Sequence, residues 1–184
     1  MAFVDEVGDE RAKELGVLTN YTRVLAHRPD VFRAWMALNG AIKESMDLRR
    51  YELATLAAAK RLRSSYCALA HGSVLAEQFY DAATVRDLVV DRGAAGLDEA
   101  DLAVMDLAEK VAGDAASVTQ ADVDRLRAHG LADDEIVSVA LAAAARCFFS
   151  KTLDALGIEP DASYSSLDPA LRDALVVGRP IASV

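Results

Sequence analysis

Glu52, Cys67 and His71 place a carboxylate, a thiol and an imidazole within the stretch 51–77, and no other part of the chain gathers these three groups. A thiol reacts as thiolate, and an ordinary cysteine with a pKa of about 8.5 is mostly protonated at neutral pH. Three influences can activate Cys67. A helix N-terminus sets partial positive charge beside it. His71 follows four residues later, one turn along the same helical face, and can take the thiol proton or stabilise the thiolate as imidazolium. Glu52 lies fifteen residues upstream of Cys67 and can orient the imidazole only if the chain folds back on itself.

These groups need two consecutive helices and a turn between them. Ser45 or Asp47 can cap the first, which carries Glu52 one turn in and has Leu53, Leu56, Ala57 and Lys60 on successive turns. Lys60, Arg61 and Arg63 suit its C-terminus, where the dipole favours cations. Ser64 and Ser65 interrupt it and can cap a second helix over 66–79, which places Cys67 at its second or third position.

Further helices are expected over 5–15, 20–26, from Pro29 through Ile42, over 83–91 and over 99–111, with Gly113-Asp114 as a stop. A capping-box start at Thr119-Gln120-Ala121-Asp122 opens another, which ends near Gly130 with His129 as a C-terminal cation. In the Pro29 helix, Val31, Phe32, Trp35, Met36, Leu38 and Ile42 form a stripe assigned to the core, and Asn39-Gly40 is a weak point inside the helix. The segment 136–156 is apolar almost all round and is expected at the buried centre. Within it Arg146 needs a partner or a water-filled opening, and Cys147 is expected to be an inert, small hydrophobe. Gly157 and Pro160 end it. The segment 161–184 is expected on the surface or at an interface.

The 184 residues fit one domain with a core of its own. Apolar residues make up 53% and there are only 10 Gly and 4 Pro, so the composition is that of an all-α protein. A net charge of −9 argues against nucleic acid or an anionic membrane as partner, since both need a positive surface. Two cysteines make no disulfide framework in a chain of this size and fit a reducing compartment. The acidic start lacks the order of a signal peptide, and the apolar run 136–149 is too short to span a bilayer. A cytoplasmic location is therefore expected. Neither a phosphate-binding glycine loop nor zinc-ligand spacing is present, so no metal and no cofactor are expected.

The residues alone leave two readings open: a reactive thiol with its relay, or two half-buried packing residues beside a solvated glutamate. A resemblance weighs on the choice. Glu52, eleven intervening residues, and then Ser64-Ser65-Tyr66-Cys67-Ala68-Leu69-Ala70-His71 resemble the signature of the alkylhydroperoxidase D and carboxymuconolactone decarboxylase family, in which Glu precedes Cys-x-x-Cys-x-x-x-His at this spacing. Within 118–159, Thr119-Gln120-Ala121-Asp122-Val123, Gly130-Leu131-Ala132-Asp133-Asp134-Glu135-Ile136 and Phe149-Ser150-Lys151-Thr152-Leu153 resemble the family's closing helices. The resemblance spans about 29–160.

The resemblance implies an all-α, single-domain helical bundle that forms homo-oligomers. It further implies a thiol-dependent peroxidase in which Cys67 meets the hydroperoxide and His71 and Glu52 relay protons. The departure is Ser64, which stands where redox-active members carry the first, resolving cysteine. Ser64 can form no disulfide, so an external thiol reductant would have to regenerate Cys67, unless Cys147 lies within about 7 Å between Cα atoms. An alternative is a decarboxylase or lyase-like enzyme in which Glu52 and His71 do acid–base work on a small organic acid and Arg146 is available for a carboxylate. The third is a non-catalytic oligomer that keeps the fold.

Overall fold

In the computed structural model, residues 18–183 are described; the helix expected over 5–15 lies outside them. Among the described residues there are nine α-helices, three short 3-10 turns and no strand. The helices are α1 (Asn20–Leu25), α2 (Pro29–Glu44), α3 (Leu48–Arg61), α4 (Ser65–Gln78), α5 (Ala82–Val90), α6 (Glu99–Asp114), α7 (Gln120–Ala128), α8 (Asp133–Ala155) and α9 (Pro169–Leu175).

Most of the starts follow from local chemistry. The side chains of Thr19, Asp47, Asp81, Asp98 and Asp168 each accept a backbone N–H of the first turn, and Thr119 with Asp122 makes the expected capping box. Such caps are worth about 1 kcal/mol each because they satisfy N–H groups that the helix leaves free. Pro29 opens α2, where its missing N–H costs nothing.

The hub is α3. Every residue from Tyr51 to Ala59 is buried, because α6, α4 and α8 pack around it. Its small residues Ala54, Ala57, Ala58 and Ala59 let those helices approach closely. Helix α6 runs past Gly113 to Asp114 instead of stopping at Val111. The glycine leaves room for the Arg61 side chain, whose Nε lies 2.4 Å from where a Cβ would stand.

The turn from α3 to α4 is tight: Arg63 has φ 57°, a left-handed conformation that ordinarily suits glycine. The C-terminal segment clamps it. Gly178 N–H donates to Ser65 Oγ at 2.8 Å, Arg63 Nε–H donates to the Val177 carbonyl at 3.3 Å, and a Cβ on Gly178 would stand 2.0 Å from the Arg63 carbonyl oxygen. Leu171 and Leu175 of α9 are fully buried. The segment 161–184 therefore contributes to the core as well as to the surface.

Two expectations about burial are corrected. On α2 only Phe32, Trp35 and Ile42 are buried, while Val31, Met36 and Leu38 are exposed. The six-residue stripe was too wide, because α2 lies at the edge of the bundle and buries one narrow face. On α8, Val137, Leu141 and Phe148 are exposed at steps of four and seven residues along one face, so this helix is buried along one side and not all round. At 23 residues α8 is long and apolar enough to cross a membrane by length and composition, yet 56% of its most apolar window is buried against other helices. That is the pattern of a core helix.

Candidate active site

The fold brings together Glu52 from α3, His71 from α4 and Arg146 from α8, and adds Lys43 and Asn39 from α2. Glu52 faces inward because it lies on the buried length of α3, where it is 2% exposed. His71 stands one turn after Cys67 on α4, and its Nδ1 lies 2.6 Å from Glu52 Oε2. Its Nε2 lies 3.0 Å from Arg146 Nη1. A guanidinium only donates, so Nε2 is the acceptor and the single imidazole proton is on Nδ1, donated to Glu52. His71 is thus a neutral imidazole of defined tautomer between a carboxylate and a guanidinium.

The remaining contacts fix that arrangement. Asn39 Oδ1 accepts from Arg146 Nη2 at 2.7 Å and from the Tyr51 hydroxyl at 2.9 Å. The Arg146 guanidinium carbon lies 5.1 Å from the Trp35 ring centre and 5.3 Å from that of Phe149, and these two rings stack at 4.8 Å. Such contacts favour a cation by the electron-rich faces of the rings. Lys43 Nζ reaches Glu52 Oε1 at 3.7 Å from the solvent side.

The electrostatics agree with this protonation pattern. Burial pushes the His71 pKa below its ordinary value; the Glu52 carboxylate opposes that shift, and the nearby Arg146 and Lys43 cations reinforce it. Burial acts to raise the Glu52 carboxyl, but His71, Lys43 and Arg146 together outweigh it and hold it below the usual range. Burial also raises the Tyr51 phenol, which remains a hydrogen-bond donor.

Cys67 occupies the third position of α4 and is 2% exposed. It is a free thiol, near enough to Tyr51 that a charge on its sulfur would be felt there. No hydrogen bond joins Cys67 to His71, because both imidazole nitrogens are engaged elsewhere. Ser64 stands at the N-cap of α4, but its side chain makes no capping hydrogen bond, contrary to the expectation from sequence. Its Oγ is fully buried and makes no well-formed hydrogen bond, but lies near enough to the Asp154 carboxyl of α8 to lower that group's pKa against the effect of burial. Cys147, also a free thiol, is half-buried on α8 next to Arg146.

Sequence reasoning paired Glu52 with His71 and identified Arg146 as needing a partner. It missed Asn39, Tyr51 and Lys43 as members of the site, and it treated Trp35 as core alone. A signal existed for Asn39: an amide inside an apolar helix period needs a hydrogen-bond partner when buried. Among the described residues no group of three or more His, Cys, Asp or Glu side chains is placed to hold a metal ion.

Similar structures bear on the fold. The chain superposes on an alkylhydroperoxidase AhpD core, an uncharacterized peroxidase-related protein from Ralstonia eutropha JMP134, with a TM-score of 0.81 and 24% identity over 89% of this chain and 88% of that one. A peroxidase-related protein from Silicibacter sp. TM1040 gives a TM-score of 0.82 at 21% identity, covering 90% and 88% of the two chains. A variant of the debrominase Bmp8 in complex with 2,3,4-tribromopyrrole gives 0.71 at 16% identity, covering 94% and 89%. No family profile and no curated protein matches the chain. The fold is that of the alkylhydroperoxidase D-like proteins.

Proposed function

We propose that this chain, with its alkylhydroperoxidase D-like fold, is a thiol-dependent oxidoreductase that reduces a hydroperoxide through Cys67. The observation that carries the reading is the partly buried 2.6 Å hydrogen bond between Glu52 and His71, one helical turn from a free cysteine at a helix N-terminus. The Cys67 thiolate would attack one peroxide oxygen, break the O–O bond and become a sulfenic acid, while the other oxygen leaves as alkoxide and takes a proton to form the alcohol. One external thiol would then condense with the sulfenic acid to a mixed disulfide with loss of water, and a second would displace Cys67 as the free thiol and leave as the external disulfide, since Ser64 offers no second sulfur. His71 would handle the protons from its Nε2 once Arg146 yields that atom, with Glu52 stabilising the imidazolium. The protein would work as a homo-oligomer in the cytoplasm, without a bound cofactor.

Treatment with hydrogen peroxide or an organic hydroperoxide, followed by a sulfenic-acid trap and peptide mass analysis, tests this. Cys67 is labelled ahead of Cys147 if the reading holds, and equal or negligible labelling of both thiols would sink it. A peroxidase signal with added thiol is lost in Cys67→Ser and kept in Cys147→Ala.

A second reading is favoured by one contact pattern: His71 bonds Glu52 and Arg146 and not Cys67. In it Glu52 and His71 do acid–base chemistry of the lyase type on a small organic acid, and Cys67 only lines the site. Turnover of such a substrate survives Cys67→Ser and vanishes in His71→Ala. The debrominase with this fold is itself complexed with a small halogenated ring, so the architecture is compatible with organic substrates other than peroxides.

A further inference from the structure

One hydrogen-bond donor of Arg146 is left without a partner. The guanidinium is 4% exposed, and its two hydrogen-bond acceptors, His71 Nε2 and Asn39 Oδ1, are both neutral. Its Nε is buried and has no partner. The one carboxylate in the site, Glu52, is engaged by His71 through Oε2 and approached by Lys43 at Oε1, so its charge is already met from two sides. Glu52 is also the anion that the Arg146 charge faces across the imidazole, while Lys43 stands largely in solvent. A buried donor without an acceptor is a costly arrangement that structures keep where something else completes it.

We propose that Arg146 binds a small organic monoanion, a carboxylate with an apolar body, through its unpartnered Nε–H beside His71. A carboxylate oxygen supplies the missing acceptor, giving an ion-paired hydrogen bond stronger than either contact Arg146 now makes to a neutral group. The apolar body follows from what surrounds the guanidinium. Trp35 and Phe149 lie within 5.1 and 5.3 Å of it, and Phe148, half exposed at 50%, packs on Trp35 at 5.4 Å as the outermost ring. Phe148 thus stands between Trp35 and solvent. The ligand is thereby held within a guanidinium's width of the imidazole. The inference rests on Arg146 and its surroundings and not on the reactivity of Cys67.

Trp35 is the chain's sole tryptophan and lies against Arg146, so its emission reports on the site. The full chain is titrated with benzoate and, separately, with benzamide, which has the same shape without the charge. Benzoate is expected to change Trp35 emission saturably, with benzamide at least tenfold weaker. Arg146→Met should weaken benzoate at least tenfold, while Cys67→Ser should bind it as the unaltered chain does whether or not the thiol reacts with peroxide. If Arg146→Met does not fold, Arg146→Lys serves, since it keeps the charge but lacks the Nε–H. A drop of about tenfold with unchanged helical circular dichroism supports the proposal. Equal response to benzoate and benzamide, no saturable response, or unchanged affinity in the Arg146 variant overturns it.

Discussion

Two buried charged clusters leave the first turns of α3 and differ in how they are compensated. At Asp101, a fully buried carboxylate on α6 faces Arg49 and Arg50; Arg49 bonds it closely and also donates to the Tyr80 hydroxyl at 2.9 Å. Arg50 lies 3.3 Å from Asp101 and reaches Glu135 of α8 at 3.4 Å. The Asp101 N–H in turn donates to Asp98, which caps the same helix. One turn further along α3, Glu52 begins the chain of contacts that ends at Arg146. The Asp101 cluster ties α3, α6 and α8 together with two carboxylates, Asp101 and Glu135, against two arginines that partly reach water, at 30% and 26% side-chain exposure. The Arg146 cluster buries its cation and gives it neutral partners. The first arrangement is closed and structural; the second keeps an unspent donor, as a binding or reacting site requires.

Breaking the closed cluster should cost the most. Asp101→Ala leaves Arg49 and Arg50 facing a dry gap and is expected to lower stability by about 3 kcal/mol, toward the lower end for a broken buried pair because the arginines retain some solvent. Urea unfolding measures this, and native Trp35 emission should be unchanged. A loss below about 1 kcal/mol would mean that the cluster is not what joins these helices.

Arg146→Met is expected to cost only about 1 kcal/mol. It strands the His71 Nε2 acceptor but also removes a buried cation, and Asn39 keeps its bond from Tyr51. The same urea experiment places it clearly above Asp101→Ala in stability, and a reversal of that order would remove the contrast between the clusters.

Acid should affect the two clusters differently. The His71 pKa is depressed in the fold, so the unfolded chain binds the proton more readily and stability falls as pH drops below the ordinary imidazole value of 6.5. The Glu52 carboxyl is also depressed, so its contribution is present above the usual carboxylate range and is lost as pH falls through the lower folded value. The thermal midpoint should therefore be flat above about pH 7 and decline below it, and His71→Gln should flatten the part between about pH 5 and 6.5. An unaltered profile in that variant would show that His71 does not carry the dependence.

The smallest effect on stability is expected for Ser64→Cys, within about 1 kcal/mol, because the replaced hydroxyl is buried and has only a weak interaction with the Asp154 carboxyl to lose. If Cys67 is the reactive thiol, peroxide should convert this variant to an intramolecular disulfide, seen as a loss of two hydrogens by mass, where the unaltered chain stops at sulfenic acid.

The sequence by itself determined the helices and the Glu52, Cys67 and His71 spacing, since caps, helix periods and a four-residue offset are local properties. It also exposed Arg146 as a charge out of place. Only the tertiary structure decided which nitrogen of His71 faces which neighbour, because that depends on α2, α3, α4 and α8 meeting at one point. It also decided that Asn39 and Tyr51 join the site, that Ser64 is no cap, and that Val31, Met36 and Leu38 lie outside the core. Periodicity says that a residue shares a face with others; it does not say how wide a face the neighbouring helices will cover. Whether Arg146 has an anion of its own is likewise a question of where Lys43 and Glu52 end up, and they meet only after the chain has folded back.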